Sequence, residues 1–483
     1  YIFTCRWNDL FYLRYSGEKK GFNMNLLKDY RIVISENSTV NEKRAASFIQ
    51  ANIKLIVGKK LKIVYDNTTP LSKEIVVGYT SREAYDGYNI KRSKEGASEF
   101  ILKMLGKRLY ITGLGVKDPD ATKGFTSSYR YIDEGDMGTV YGAYYFVEEI
   151  LKYDFLNSTF VSFTENPKLA LPDDYEYEYT RHALRSVEIP IYSDTAMYMI
   201  PLTAKLEWNI MSFVFRTKEG KLVVIDGGEI EETENFLNVL QQLTTNDETP
   251  VVSAWLLTHL HSDHFGVYYN IVKNYDKYRD MIKIENFYCN LLEEEFYTTL
   301  SREACLYLKN VRDVILGSGD VLGCRIHTVM TGDIINIDDL SFKVLHIPSM
   351  EYAKKMNIND SGVIYKLTVA DKQTVMFLGD AEFVCENDLM ANHKDELKSD
   401  VVQVGHHGCG NVSKKCYEAI GADIYLWPAG KKFWYSDMGE GLNTHNTGVI
   451  RTRYWLCQLG AKKQNIYSDT SGLLSFEFPI PIK

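Results

Sequence analysis

The chain has 483 residues, and its 55 Lys and Arg against 64 Asp and Glu leave a formal net charge of −9. At ~100–200 residues per domain, this length allows two or three domains. A hydrophobic fraction of 45% and a charged fraction of 25% exclude a wholly disordered chain. The acidic balance argues against a nucleic-acid-binding protein, because phosphate contacts call for a basic face.

Membrane, secretion and disulfide signals are weak. The sequence has no run of about 18 or more apolar residues, so we expect no membrane span. The chain starts without Met and without a basic segment followed by an apolar one, which predicts no secretory signal, and Met24 is a natural start for the first domain. The compartment stays open between cytoplasmic and secreted. Eight cysteines without a CxxC pair predict reduced thiols, most of them buried.

After an N-terminal extension over 1–29, the first half alternates strands and helices. β-branched runs and helical spacing of apolar residues predict, in order, a strand at 30–35, a helix at 42–56, strands at 60–66 and 73–79, a hairpin pair at 99–105 and 108–113, and a helix at 139–151. This order predicts a small α/β layer domain over 30–165. Nothing in it has the spacing of metal ligands or of a nucleophile. The polar stretch 166–180, with two prolines, is the predicted linker.

This half resembles the small α/β domain that precedes the catalytic domain in β-hexosaminidases and α-glucuronidases. The resemblance lies in VGKKLKIVYD (57–66), EIVVGY (74–79), RLYITG (108–113) and GTVYGAYYFVEEIL (138–151). In those enzymes the domain carries no catalytic residue. The resemblance therefore implies a glycan context and no contribution to a metal site.

In the second half, 181–483, polar residues directly follow several predicted apolar strands. Strands are predicted at 209–217 and 221–228, a helix at 230–243, a buried strand from 251, and later strands in SFKVLHI, GVIYKLTV, QTVMFLGD, DVVQVGHHG and ADIYLWPAG. Because α/β sheets gather their chemistry at strand ends, we expect these polar residues to share one edge.

The strongest chemical signal is the segment 258–264, Thr-His-Leu-His-Ser-Asp-His. It places three of the chain's ten histidines and one aspartate directly after an apolar strand. Neutral imidazoles and carboxylates are ordinary zinc ligands. Solvation alone does not explain such a cluster, so the segment predicts a metal site.

The HxHxDH segment resembles the signature of the metallo-β-lactamase fold hydrolases. Further motifs of that family follow its order, with Asp226 in VVIDGG, Asp380 in TVMFLGD and His406-His407 in VVQVGHHG. The resemblance implies an α/β fold, an αββα sandwich over 181–483. The GD and VGHHG motifs are most similar to the branch with the competence DNA-uptake proteins and the teichoic-acid phosphorylcholine esterases. The competence proteins also keep a late histidine where this chain has His445.

The resemblance implies a role for each matched residue. The implied ligands are His259 and His261 for metal one, Asp263, His264 and His407 for metal two, and Asp380 bridging both. Asp226 would orient the histidine loop through hydrogen bonds. His406 would point at the substrate, although the order within the His406-His407 pair stays open. Asp263, His406 and His445 are the expected catalytic groups, and Zn, as one or two ions, is the expected cofactor, with Mn or Fe as alternatives.

One family ligand is missing. Most members supply a third metal-one histidine before the bridging aspartate, yet between His264 and Asp380 this chain has only His327 and His346. We predict no histidine from 340–365 at metal one. Asn359, Asp360 or water stay open in its place, as does a mononuclear site.

The resulting functional expectation is a metal-dependent hydrolase that uses a metal-bound hydroxide. A phosphodiester, for example of a cell-surface glycan, is the favoured substrate. The alternatives are a nuclease of the competence type, a carboxylic-ester or lactone hydrolase, and a non-catalytic glycan-binding protein. The expected partner is a small-molecule or glycan-linked substrate, with the oligomeric state open.

Overall fold

The protein is described by a computed structural model. The described residues are 27–93, 99–116, 137–154, 159–160, 171, 174–179, 188–201, 209–244, 248–298, 302–352, 357–437, 441–444, 447–468 and 472–483. The chain divides into two compact units, 1–179 and 180–483. In the described residues, no helix combines the length and apolar character needed to cross a bilayer.

The first unit is a small α/β layer domain. Its strands are β1 (Arg31–Ile34), β2 (Ile63–Tyr65), β3 (Glu74–Val77), β4 (Phe100–Leu105), β5 (Arg108–Gly113), β6 (Tyr153–Asp154), β7 (Thr159–Phe160) and β8 (Glu176–Tyr179). Its helices are α1 (Val40–Val57), α2 (Arg82–Tyr85) and α3 (Met137–Tyr145). One sheet has the order β2-β1-β3-β5-β4-β8, while β6 pairs with β7.

Helix α1 shows how local sequence sets an element of this unit. The Thr39 side chain accepts from the Glu42 amide, and the Glu42 carboxylate accepts from the Thr39 amide, which satisfies two free donors of the first turn. The helix ends at Gly58, whose φ of 72° costs a glycine little. The face that carries Ala45 and Ile49 is buried.

The predicted linker 166–180 needs a correction. Its residues 176–179 form strand β8, which pairs antiparallel with β4. The alternating sequence EYEY suits a strand with one covered face. Tyr177 stacks on Tyr145 with ring centroids 4.2 Å apart, and Tyr179 stacks on Phe100 at 5.4 Å. This aromatic packing draws the polar segment into the sheet.

The second unit contains two large sheets and their covering helices. Its strands are β9 (Ala196–Met199), β10 (Ser212–Arg216), β11 (Leu222–Asp226), β12 (Val251–Leu256), β13 (Lys283–Ile284), β14 (Asn286–Cys289), β15 (Arg325–Thr328), β16 (Ile334–Ile337), β17 (Leu340–His346), β18 (Ile364–Val369), β19 (Gln373–Phe377), β20 (Val401–Gln403), β21 (Ile424–Trp427), β22 (Ile466–Ser468) and β23 (Leu474–Glu477). Its helices are α4 (Thr233–Leu243), α5 (Ser262–Lys273), α6 (Tyr275–Tyr278), α7 (Glu294–Tyr297), α8 (Arg302–Leu316), α9 (Ser318–Leu322), α10 (Phe383–Asn392), α11 (Lys414–Ile420), α12 (Lys431–Tyr435) and α13 (Val449–Gln458).

These elements form an αββα sandwich. One sheet has the order β15-β14-β12-β11-β10-β9-β23, with β13 also beside β12, and the other runs from β16 to β22 in sequence order. Phe215 of the first sheet packs edge-on against Phe342 of the second, with centroids 6.0 Å apart, within a shared core. On the outer face of the first sheet, Trp255 of β12 packs against Phe236 of α4 and Tyr268 of α5. On the second sheet, α10 packs against β17.

Candidate metal centre

The site lies where strands end. The histidine loop follows β12, Asp380 follows β19, and the His406-His407 pair follows β20. In the described residues, two groups of ligand atoms each lie within 4.8 Å of one another. We call His259, His261 and Asp380 the first cation site, and Asp263, His264, Asp380 and His407 the second cation site. Asp380 belongs to both groups.

Asp226, at the end of β11, holds the histidine loop. Its Oδ1 accepts from the Thr258 amide at 2.7 Å, and its Oδ2 accepts from the Thr258 hydroxyl at 2.8 Å. The same Oδ2 lies 2.8 Å from Nδ1 of His264. Because these contacts occupy the Nδ1 side of the ring, Nε2 of His264 faces Asp380 Oδ1 at 3.2 Å.

His407 is held in the same manner by the backbone. Its Nδ1 hydrogen-bonds with the Pro428 carbonyl at 2.6 Å. Its Nε2 then lies 3.0 Å from Asp263 Oδ2 and 3.5 Å from Asp380 Oδ1. Of the two neighbouring histidines, His407 is therefore the one that joins the second cation site.

The first cation site is built from the start of the histidine loop. Nε2 of His259 lies 3.1 Å from Nδ1 of His261 and 3.8 Å from Asp380 Oδ2. The other nitrogen of His259 contacts the Thr258 hydroxyl at 3.1 Å. Two imidazoles and one carboxylate oxygen thus face a common position.

His406 lies beside a polar cluster that sequence reasoning missed. Oε1 of Glu382 accepts from the side-chain amides of Asn359 and Asn411, each at 2.7 Å. The same oxygen lies 3.1 Å from Nδ1 of His406. The available signal was position alone, since Glu382 follows Asp380 by two residues and Asn411 follows His407 by four.

An unusual backbone turns the two neighbouring histidines inward. His406 has φ 46° and His407 has φ 50°, a left-handed conformation that costs ~1–2 kcal/mol per residue without glycine. The His406 amide donates to the Gly379 carbonyl at 3.0 Å, and Trp427 Nε1 donates to the His407 carbonyl at 2.7 Å. These hydrogen bonds hold a turn that local preference disfavours.

The electrostatics of the second cation site call for positive charge. Burial lowers the pKa of His407, but Asp380 and Asp263 outweigh burial and raise this pKa to about 10. Burial raises the pKa of Asp380, but His407 and His264 outweigh it and hold this pKa well below its usual value. Asp380 is therefore held as an anion by positive charge on the neighbouring imidazoles, which is the charge that a bound cation would supply in their place.

Unpartnered atoms provide a second test of the site. Among the described residues, Nε2 of His264, Nε2 of His407 and Oδ1 of Asp380 are buried without a hydrogen-bond partner. Buried polar groups normally have a partner, and a missing one calls for an explanation. Nitrogen and oxygen donors that converge in this way fit a divalent metal such as Zn²⁺.

The open question of the missing third histidine is partly answered. Asp360 does not face the first cation site, because its Oδ1 accepts from the amides of Glu382, Val384 and Cys385 at the start of α10, at 3.1–3.2 Å. His346 hydrogen-bonds through Nδ1 with Asp388 of α10. The amides at the start of α10 therefore bind the carboxylate of Asp360, which the sequence left as a possible ligand of metal one.

Two further predictions concern other residues. His445 lies outside the described residues, so its predicted catalytic role stays a prediction. Cys289, Cys324, Cys385, Cys409 and Cys416 are free thiols. Burial raises the pKa of Cys409 beyond its usual range, which disfavours a thiolate nucleophile beside the site.

Comparisons with known proteins give limited likenesses. No family model matches the chain. ComE operon protein 3 of Bacillus subtilis (strain 168) is 25% identical over 206 residues, which are 42% of this chain and 23% of that protein. The likeness therefore spans less than a quarter of the relative's length.

Several solved structures are similar at low identity. The metallo-β-lactamase fold protein YhfI from Bacillus subtilis is 10% identical, with a TM-score of 0.35 over 58% of this chain and 100% of its own. A diphosphatase from the PhnP family is 14% identical, with a TM-score of 0.33 over 60% and 100%. Zn²⁺-bound PqqB from Methylobacterium extorquens is 11% identical, with a TM-score of 0.34 over 56% and 87%. The αββα layers of the second unit and the strand-end position of its candidate ligands agree with the fold that the sequence resemblance implies.

Proposed function

We propose that the chain is a metal-dependent hydrolase that cleaves a phosphodiester at the two cation sites. The observation that carries the proposal is the shared carboxylate of Asp380, which faces imidazoles of both sites. Paired divalent cations, when bound, activate water and neutralise charge on the attacked and leaving oxygens. That chemistry suits an in-line displacement at phosphorus.

The chain's own residues would hold and expose such a centre. Asp226 and the Pro428 carbonyl fix the rings of His264 and His407, which prepares their Nε2 atoms for ligation. His261 and Asp263 are only half-buried, whereas His264 is fully buried. The half-buried side of the site is therefore the side from which a substrate would enter.

The preference for a phosphodiester rests on sequence resemblance. The GD and VGHHG motifs are similar to those of phosphorylcholine esterases, and the first unit resembles a domain of glycan-processing enzymes. Together they support a phosphodiester on a glycan as the substrate class. The first unit contributes no residue to either cation site in the described part of the chain.

A substrate panel tests the proposal. The full chain, stripped with a chelator and reloaded with Zn²⁺ or Mn²⁺, would be assayed on bis(4-nitrophenyl) phosphate, 4-nitrophenyl phosphorylcholine, 4-nitrophenyl phosphate, 4-nitrophenyl acetate and a lactone. We expect metal-dependent turnover of the two diesters that His264→Ala abolishes. Turnover of only the carboxylic ester or the lactone would overturn the proposed substrate class. The absence of turnover with every substrate would overturn the proposal that the chain is a hydrolase.

A nuclease of the competence type is the second candidate. The similarity to ComE operon protein 3 favours it. The net charge of −9 argues against it, because DNA binding draws on basic surface. Arg82 and Arg108 of the first unit are buried and add little to such a surface. A single-stranded DNA arm in the same panel decides between the two candidates.

A further inference from the structure

We infer that His406 is the third histidine of the first cation site, beside His259 and His261. The inference rests on the proposed function in one respect, since it requires that the site binds cations. It gives a ligand role to a residue that the sequence resemblance directs toward the substrate.

The bridging carboxylate divides the surrounding histidines between the two sites. Oδ1 of Asp380 faces Nε2 of His264 at 3.2 Å and Nε2 of His407 at 3.5 Å. Oδ2 faces Nε2 of His259 at 3.8 Å and Nε2 of His406 at 3.8 Å. His406 is therefore on the side of the first cation site, and it lies as close to the shared oxygen as the motif histidine His259 does.

The ring of His406 is also held as a ligand ring would be. Metal-binding histidines usually give their second ring nitrogen to a carboxylate or a carbonyl, which fixes the orientation of the first. His264 uses Asp226 in this way at 2.8 Å, and His407 uses the Pro428 carbonyl at 2.6 Å. Nδ1 of His406 has such a contact with Glu382 Oε1 at 3.1 Å, beside the Asn411 amide, while its Nε2 lies 3.3 Å from Nδ2 of Asn359 and 3.8 Å from Asp380 Oδ2.

The first cation site has a place for one more donor. His259, His261 and Asp380 provide three ligand atoms, whereas a zinc ion takes four. The histidine of β17 and the carboxylate of Asp360 are held by α10 instead. The left-handed backbone at His406 brings its ring to this position. Ligand atoms of a tetrahedral zinc ion lie about 3.3 Å apart at the usual bond lengths, so the ring of His406, which stands outside the 4.8 Å group of His259, His261 and Asp380, must move inward to complete the site.

Metal binding without substrate tests the inference. The full chain and its variants would be stripped and reloaded with Zn²⁺, followed by mass spectrometry for ions per chain, chelator competition for affinity, and X-ray absorption for the imidazole count. We expect the wild type to bind two ions with His259, His261, His264, His406 and His407 as ligands. His406→Ala should lose the ion of the first cation site or weaken its binding at least tenfold, and added imidazole should restore it.

Matched variants separate ligation from folding. His406→Gln keeps side-chain volume and a polar end, and is the variant to use if His406→Ala unfolds. Glu382→Gln should weaken the first ion ~10–100-fold, as loss of an orienting partner does. His393→Ala removes a histidine that contacts Glu396 and belongs to neither cation site, so it should bind both ions as the wild type does.

Each outcome of these measurements supports or overturns the ligand role of His406. Two ions at wild-type affinity in His406→Ala, or a wild type that binds a single ion, would overturn the inference. A wild type with two ions and five imidazoles that hydrolyses nothing in the panel would overturn the proposed function and leave the inference standing. A wild type that hydrolyses a substrate of the panel, together with a His406→Ala variant that keeps both ions, would overturn the inference and leave the proposed function standing.

Discussion

A buried cluster of charged groups lies in each unit of the protein, around Glu74 in the first and around Asp380 in the second, and the two clusters are completed differently. In the first unit, Glu74 is fully buried and accepts from Nε of Arg31, Arg82 and Arg108, each at 2.9 Å. Arg82 also donates through its two terminal nitrogens to the carbonyls of Asp66 and Thr68, at 2.7 and 2.8 Å. This cluster is satisfied by the chain itself.

The cluster around Asp380 is held by ionic contacts rather than by hydrogen bonds, since Nε2 of His264 lies 3.2 Å and Nε2 of His407 lies 3.5 Å from its Oδ1. Its buried Oδ1 and the Nε2 atoms of His264 and His407 have no hydrogen-bond partner among the described residues. A buried charge is stable only when paired, hydrogen-bonded or bound to a metal. The difference separates a cluster that supports the fold of the first unit from one in the second unit whose buried nitrogen and oxygen atoms remain available to a cation. Variants in each cluster test this difference.

The largest effect is expected from Asp380→Ala. This change removes the carboxylate common to both cation sites, so activity should fall by more than the ~10²–10⁴-fold that general-acid help is worth. Turnover of an active diester, with metal content measured in parallel, checks it. His445→Ala is the comparison, because the sequence predicts only contact with substrate or leaving group for it. Near-normal turnover in Asp380→Ala with both ions bound would rule out a bridging role.

The next largest effect is expected from Glu74→Ala. It leaves three arginines without their shared carboxylate, and breaking a buried ion pair on one side costs ~3–5 kcal/mol. Chemical denaturation should show this loss, while ions bound per chain stay unchanged. Glu176→Ala is the matched control, since its partner Lys103 and its own side chain are partly exposed. A loss no larger than that of the control would show that the cluster is not structural.

The pH range in which stability is lost should differ between Glu74 of the first unit and His407 of the second. Burial raises the pKa of Glu74, but Arg82 and Arg31 outweigh burial and lower it below the ordinary 4.5. The first unit therefore gains stability from Glu74 above about pH 4.5 and loses it as pH falls through the lowered pKa. In the metal-free second unit, His407 keeps its proton up to about pH 10 instead of 6.5, so stability is present below 6.5 and lost as pH rises to about 10.

Hydrogen exchange read peptide by peptide measures both units in one sample. Metal should reverse the trend in the second unit, because ligands bind as deprotonated groups and metal affinity rises with pH. Peptides around β20 should thus lose protection at high pH only with a chelator present. Equal protection with and without metal across this range would contradict the assignment of His407 to the second cation site.

The smallest effect on the site is expected from His346→Gln. His346 hydrogen-bonds with Asp388, and loss of a buried hydrogen bond costs ~1–3 kcal/mol. Metal content should stay as in the wild type, because no histidine from 340–365 is predicted at metal one. Asp388→Asn should show the same modest instability with unchanged metal. Loss of one ion in His346→Gln would prove this prediction wrong.

Much of the second unit could be predicted from local sequence. The apolar strand followed by HxHxDH places four candidate ligands within one loop, and the residues of a loop this short are neighbours in any fold. Asp380 and the His406-His407 pair also follow apolar strands, and parallel strands such as β19 and β20 bring their ends to one edge. The resemblance to the metallo-β-lactamase fold hydrolases implied the sandwich, and the strand-end motifs predicted most of the candidate ligands.

The tertiary structure decided the features that depend on distant partners. His407 is distinguished from His406 by the Pro428 carbonyl, 21 residues later in the chain. Glu382 reaches His406, and the amides at the start of α10 take Asp360, a residue that the sequence left open as a metal ligand. Strand β8 forms from a segment predicted as linker, because its tyrosines pack on Tyr145 and Phe100. A local sequence pattern does not predict such contacts, because each of them joins residues that are distant in the sequence and meet only in the folded chain.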